Sequence, residues 1–189
     1  MKTILFWVAV TGWVLGLLVH VLSIFDVDVQ TQIPYIWLLH LGIFVVWIPA
    51  ILTLRKSESI RMFENPDTLK RMNPIAFFKV ICEKTPVWIV VIAAAGLFYA
   101  FVNFLLFMTM QTGTPALKDG QYYLHNHGKL IRNITEQEYH HYKASLLRGF
   151  SGHWIAFYGI AAAVLYPFRK EPVVISFSDR EQSTKYTSQ

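Results

Sequence analysis

The apolar positions of this chain run in four long blocks, residues 3–25, 33–54, 86–110 and 150–168, and none of the four contains Lys, Arg, Asp or Glu. A hydrocarbon core is crossed by about 20 residues of helix at about 1.5 Å rise per residue, so each block is long enough to span one. Lipid offers no partners to backbone N–H and C=O groups, which makes such blocks helices rather than open strands. The pattern predicts an all-α integral membrane protein: a four-transmembrane-helix bundle within residues 1–168, followed by a polar tail over 169–189. Trp7, Tyr35, Trp37, Trp88, Trp154 and Tyr166 lie toward block ends, where an amphipathic ring sits at the headgroups. Trp13 and Trp47 lie deeper and read as packing residues. The first block is too long and too bulky for the core of a signal peptide and is followed by Phe25-Asp26-Val27-Asp28, without a small-x-small cleavage pattern, so it reads as an anchor.

The connections carry patterns of their own. In residues 55–85, Asn65-Pro66 and Asn73-Pro74 each place a capping residue before a proline suited to the first helical position, which predicts two short helices. The second carries Ile75, Phe77, Phe78 and Ile81 beside Lys79 and Lys84, as a helix lying in an interface would. Cys82 within it reads as a small apolar residue. Between blocks three and four, residues 121–126 and 129–134 are short β-prone runs around His127-Gly128, a hairpin signal. Thr135-Glu136-Gln137-Glu138 is a capping box that opens a helix. Tyr139, Tyr142, Leu146 and Phe150 then recur at helical spacing, so this helix is expected along the membrane surface until Gly149 and Gly152 let the chain turn inward. Asn133-Ile134-Thr135 matches a glycosylation acceptor, but capping already accounts for Thr135.

Composition agrees with lipid as the solvent: 54% hydrophobic residues against 15% charged, with a mean hydropathy of +0.38. One cysteine cannot form an internal disulfide, which excludes a disulfide scaffold, and a disordered chain is excluded by hydrophobicity. The net charge of +5 does not indicate nucleic acid, because the basic residues cluster beside apolar blocks, where they act as orientation signals. Residues 26–32 contain none, residues 55–85 contain seven, and the tail contains four. With both termini in the cytoplasm, twelve of the 17 basic residues fall inside; the opposite orientation leaves five there. The expected location is therefore a bacterial inner membrane, multi-pass, N-in and C-in.

Polar side chains inside apolar blocks are costly unless partnered, so they mark the first place to look for function. His20, His40, Asn103 and His153 fall about 5 to 10 Å from the outer ends of their blocks at the helical rise, one per block in one layer. Gly12, Gly16 and His20 share a face, and small-xxx-small spacing lets a second helix approach. Gly96, Tyr99 and Asn103 repeat that logic. Two histidines at matched depth can supply both axial ligands of a haem b, with Arg148 and Lys143 placed to pair with its propionates. As an arrangement of spans and histidines the layout loosely resembles four-helix membrane cytochromes of the b561 kind. It departs from their two-haem version, because no histidine pair occupies the inner half. A metal site of copper or zinc is a further option, built from His125 and His127 at i, i+2 with His140. The plainer account is that the four intramembrane groups hydrogen-bond across helices and fix their packing.

No Gly-x-Ser-x-Gly, His-Glu-x-x-His, P-loop or dinucleotide fingerprint occurs, and no internal repeat suggests an inverted-repeat transporter. The sequence is thus read as a subunit or accessory factor of a membrane complex, with the hairpin-helix segment of residues 111–149 as its recognition surface. Its partners would be the bilayer and another membrane protein or a second copy. The alternative function is a haem or quinol-linked electron carrier using His20, His40 and His153.

Overall fold

The computed structural model describes residues 1–55 and 85–168. The two short helices expected at Asn65 and Asn73, Cys82, and the polar tail lie outside the described residues. The fold is mostly helical with one small sheet, in the order α1 (Lys2–Ile24), α2 (Val29–Gln32), α3 (Leu38–Arg55), α4 (Val87–Met110), β1 (Thr114–Lys118), β2 (Gln121–Asn126), β3 (Lys129–Asn133) and α5 (Glu136–Leu165). Two helices, α1 and α4, are long and apolar enough to cross a membrane. Only about a third of each is buried, which leaves side chains such as Trp7, Leu18, Phe98 and Phe101 on open surface. A core helix of a water-soluble domain would hide most of that surface.

Helix α5 lies at the centre, packed against α1, α4 and α3, while α1 also meets α3. From Ser151 to Leu165 it is buried almost all round. Its composition explains the position: Gly149, Gly152, Gly159 and the run Ala161-Ala162-Ala163 leave room for neighbours. A Cβ on Gly149 would lie 2.5 Å from the Phe107 ring, and one on Gly152 would lie 2.6 Å from Asn103 Nδ2. The first half of α5, which carries Glu136, Glu138, His140, His141, Lys143 and Arg148, is far more polar than α1 or α4.

Three expectations are corrected. The chain does not turn at Gly149 and Gly152; α5 runs for 30 residues without a break, because these glycines sit at close helix contacts rather than in left-handed conformations. The second block becomes regular helix only at Leu38, since Pro34 opens a string of tight turns in which Ile36, Leu38 and His40 N–H groups donate to the carbonyls of Ile33, Tyr35 and Trp37. The hairpin gains a third strand. Thr114 pairs with His125 and Lys118 with Gln121 in antiparallel register, giving the order β1-β2-β3. Both turns have two central residues with positive φ, Asp119-Gly120 at 52° and 73° and His127-Gly128 at 47° and 80°, the hairpin geometry that matches strand twist. Pro115, which has no N–H, is tolerated because β1 is an edge strand.

The predicted capping box is present. Glu138 N–H donates to Thr135 Oγ1 at 3.2 Å and Thr135 N–H donates to Glu138 Oε2 at 2.8 Å. Arg132 on β3 reaches the same carboxylate at 2.7 Å, and Leu124, 1% exposed, is buried beneath the sheet. These contacts fasten the sheet to the first turns of α5.

Candidate functional site

Each of the four polar positions predicted to share one layer meets α5 within residues 148–154, or lies there itself. On α1, His20 is 2% exposed. Its Nδ1 is 2.8 Å from Ser151 Oγ and its Nε2 is 2.5 Å from Tyr99 Oη. Ser151 Oγ also lies 3.3 Å from the Arg148 carbonyl, which can only accept. For a neutral ring one direction satisfies every bond: Tyr99 O–H donates to Nε2, Nδ1–H donates to Ser151, and Ser151 O–H donates to Arg148 O. A neutral imidazole therefore joins α1, α4 and α5, and Ser23 Oγ donates to the His20 carbonyl at 2.7 Å beside it.

On α4, Asn103 Nδ2 donates to the Arg148 and Gly149 carbonyls at 3.0 and 3.4 Å. Gly152 makes this approach possible, since any larger residue would displace the amide. On α3, His40 Nδ1 is 3.3 Å from Trp154 Nε1. An indole nitrogen only donates, so Nδ1 accepts and the neutral ring carries its proton on Nε2. His153, on α5 itself, donates from Nδ1 to the Gly149 carbonyl at 3.2 Å and packs edge-on against Phe104.

The result is a collar around α5, with His20, Asn103 and His40 on different neighbours, rather than one cavity shared by facing imidazoles. For haem this placement is unfavourable: both nitrogens of His20 are engaged by protein, and His40 presents an N–H rather than a lone pair. Arg148, expected near propionates, has its guanidinium 3.5 Å from Ser145 Oγ on its own helix. Trp154 is also relocated. It is 3% exposed and serves as the donor to His40 instead of a headgroup anchor.

The residues expected to form a metal site are not gathered. His125 lies on β2 with a buried Nδ1 that has no hydrogen-bond partner among the described residues. His127 has left the strand for a turn, which removes the shared face that i, i+2 spacing would give. His140 lies across the fold on Asp28. Among the described residues no group of three or more His, Cys, Asp or Glu is placed to hold a metal ion.

Sequence reasoning missed a second cluster at the sheet end of the helices. Asp28 caps α2 by accepting from Thr31 N–H at 3.0 Å and from Thr31 Oγ1 at 2.6 Å, and its Oδ2 lies 2.7 Å from His140 Nδ1. Neighbouring His141 pairs with Asp26 at 2.9 Å, and Lys143 Nζ donates to Thr31 Oγ1 at 3.1 Å. Burial works to raise the Asp28 carboxyl, but bonds from the Thr31 hydroxyl, His140 and the Thr31 N–H, with the Lys143 charge, hold it below its ordinary range. The clue was present in outline: two acids spaced i, i+2 in the first connection and two adjacent imidazoles on a helix about 100° apart. Comparison with known family models, with curated proteins and with solved structures finds no match for this chain.

Proposed function

We propose that this chain is a four-span membrane protein with both termini in the cytoplasm, acting as a subunit or accessory factor whose extracytoplasmic sheet recognises a membrane-protein partner. The open apolar faces of α1, α3 and α4 support the lipid setting. The observation that carries the recognition role is the free edge of β3. All five residues of β3 are exposed, among the described residues the strand pairs only with β2, and Leu130 and Ile131 are 58% and 48% exposed. The opposite edge, β1, is blunted by Pro115. A bare strand edge with apolar side chains is a template for strand addition or side-on contact by a partner.

Topology is tested with the single native cysteine. An impermeant maleimide applied to intact cells should leave Cys82 unlabelled and should label the Cys82→Ser, Asn126→Cys variant; the reverse pattern overturns the orientation. Recognition is tested with a photo-crosslinking residue at Leu130. One discrete adduct, lost on exchanging Ile131 for Lys, is expected. Diffuse adducts, or an adduct indifferent to Ile131→Lys, would remove the sheet from this role. The electron-carrier reading is not favoured, since both ring nitrogens of His20 are engaged and His40 presents an N–H rather than a lone pair.

A further inference from the structure

The connection between α1 and α2 is fastened to the first turns of α5 at two points. Asp26 has a φ of 59°, a left-handed conformation that aspartate tolerates, and just past this bend Asp28 Oδ2 lies 2.7 Å from His140 Nδ1 while Asp26 Oδ1 lies 2.9 Å from His141 Nδ1. A carboxylate only accepts, so each ring donates from Nδ1 whether it is neutral or protonated. The charged groups facing these pairs are Glu138 and Lys143 of α5 and Arg132 of β3, and the Tyr139 and Tyr142 rings pack edge-on against the two imidazoles. Glu136, the other acid of the first turn, accepts from Tyr122 instead. Arg132 is bonded to Glu138 at 2.7 Å, and Lys143 Nζ reaches Thr31 Oγ1 beside Asp28. Three carboxylates thus meet two permanent cations, and among the described residues Asp26 is paired with His141 alone.

We propose that the two pairs form a proton-operated latch, which tightens the α1–α2 connection against α5 as the surroundings become mildly acidic. Histidine is the side chain whose charge changes between about pH 5 and 8, and a proton taken up by either ring adds Coulombic attraction to a hydrogen bond already in place. Aspartates ordinarily titrate near about pH 4 and stay ionised over that interval. For Asp28 burial works against ionisation, but the bonds from Thr31 and His140 and the Lys143 charge outweigh it. The stabilisation from the charged rings is therefore present below the imidazole range and is lost as pH rises through it. The His140 and His141 side chains are 39% and 54% exposed, so solvent screening limits the two protons to a few-fold effect. The capping box and Arg132 mount the sheet on these same turns of α5, and the latch sets how firmly the sheet is held relative to α1. That the protons come from the extracytoplasmic side rests on the orientation proposed above; the latch itself does not.

The test is amide hydrogen exchange of residues 26–33 in the full-length protein in mild detergent, expressed as protection relative to the intrinsic rate at each pH. Protection should rise about fivefold from about pH 8 to about pH 6, and by less in about 1 M salt, which screens exposed pairs. The double variant His140→Gln, His141→Gln keeps a side-chain N–H donor at both positions but takes up no proton, and its protection should stay level over the same interval. Asp26→Asn removes one pair from an exposed position and should reduce the rise to about twofold. His127→Gln, in the hairpin turn, should keep the full rise. A parent protein with level protection, a double variant or Asp26→Asn that retains the fivefold rise, or a His127→Gln variant that loses it overturns the latch. Because the measurement is made in detergent, a reversed maleimide pattern would move the latch to the other side of the membrane and leave it standing.

Discussion

The two ends of α5 meet their neighbours through different physics. Toward the sheet, residues 148–154 are tied to α1, α3 and α4 by hydrogen bonds from His20, Tyr99, Asn103 and Trp154. Toward Leu165 the contacts are apolar: Ala161, Ala163, Val164 and Leu165 are buried, beside a cavity of about 240 Å³ lined by Phe6, Trp13, Trp88 and Ala162. Directional bonds specify one arrangement at one end, whereas the other end relies on close packing, with single bonds such as Thr85 Oγ1 to the Ala163 carbonyl at 2.9 Å. Specificity is thus concentrated where the sheet is mounted.

The strongest challenge to this contrast is Gly152→Leu. The new side chain would collide with the Asn103 amide, and overpacking with loss of two buried bonds should cost about 3 kcal/mol, read as a lower unfolding midpoint in detergent. A variant as stable as the parent would show that the collar does not specify the packing. His20→Leu leaves Ser151 and Tyr99 without their partner and should cost about 1 to 2 kcal/mol, and a double-mutant cycle of His20→Leu with Ser151→Ala should return a coupling of about 0.6 to 1.7 kcal/mol.

Acid sharpens the contrast next. Asp28 titrates below its ordinary range in the folded protein, so its stabilisation is present above the usual carboxylate range and is lost as pH falls through the folded value. Glu138 behaves alike: hydrogen bonding from Arg132 first, then from the Thr135 N–H, holds it at about 2 against an ordinary 4.5. Stability should fall between about pH 4.5 and 2 through contacts at the sheet end, and Asp28→Asn should flatten part of that slope while costing about 1 kcal/mol near neutrality. The smallest effect belongs to the opposite end. Ala162→Val extends into open space and should change stability by less than about 1 kcal/mol in either direction.

Much of the helical framework was legible because it follows from local runs. The bounds of α1 and α4 fall within one residue of the expected blocks, and Thr135 with Glu138 announces the start of α5. The layer of polar groups was legible too, from distances to block ends. What escaped depends on partners far apart in the chain. Asp28 and His140 are separated by 112 residues, and nothing near either predicts the other. Trp154 resembled an interfacial anchor because its neighbours are apolar, and only the arrival of His40 from α3 makes it a buried donor. Gly149 and Gly152 were ambiguous for a physical reason: glycine serves a sharp turn and a close helix crossing equally well, and which one prevails is decided by Phe107 and Asn103 on another helix. The third strand was the exception, since Asp119-Gly120 is a strong hairpin signal that lay in plain view.

The unbroken course of α5 has a mechanical corollary. Thirty residues make a rod about 45 Å long, gripped by directional bonds near its middle and enclosed by apolar neighbours at its far tip, where Leu165 is buried. A load applied to the strands therefore travels along one continuous element into the buried tip, with no break in the helix to absorb it.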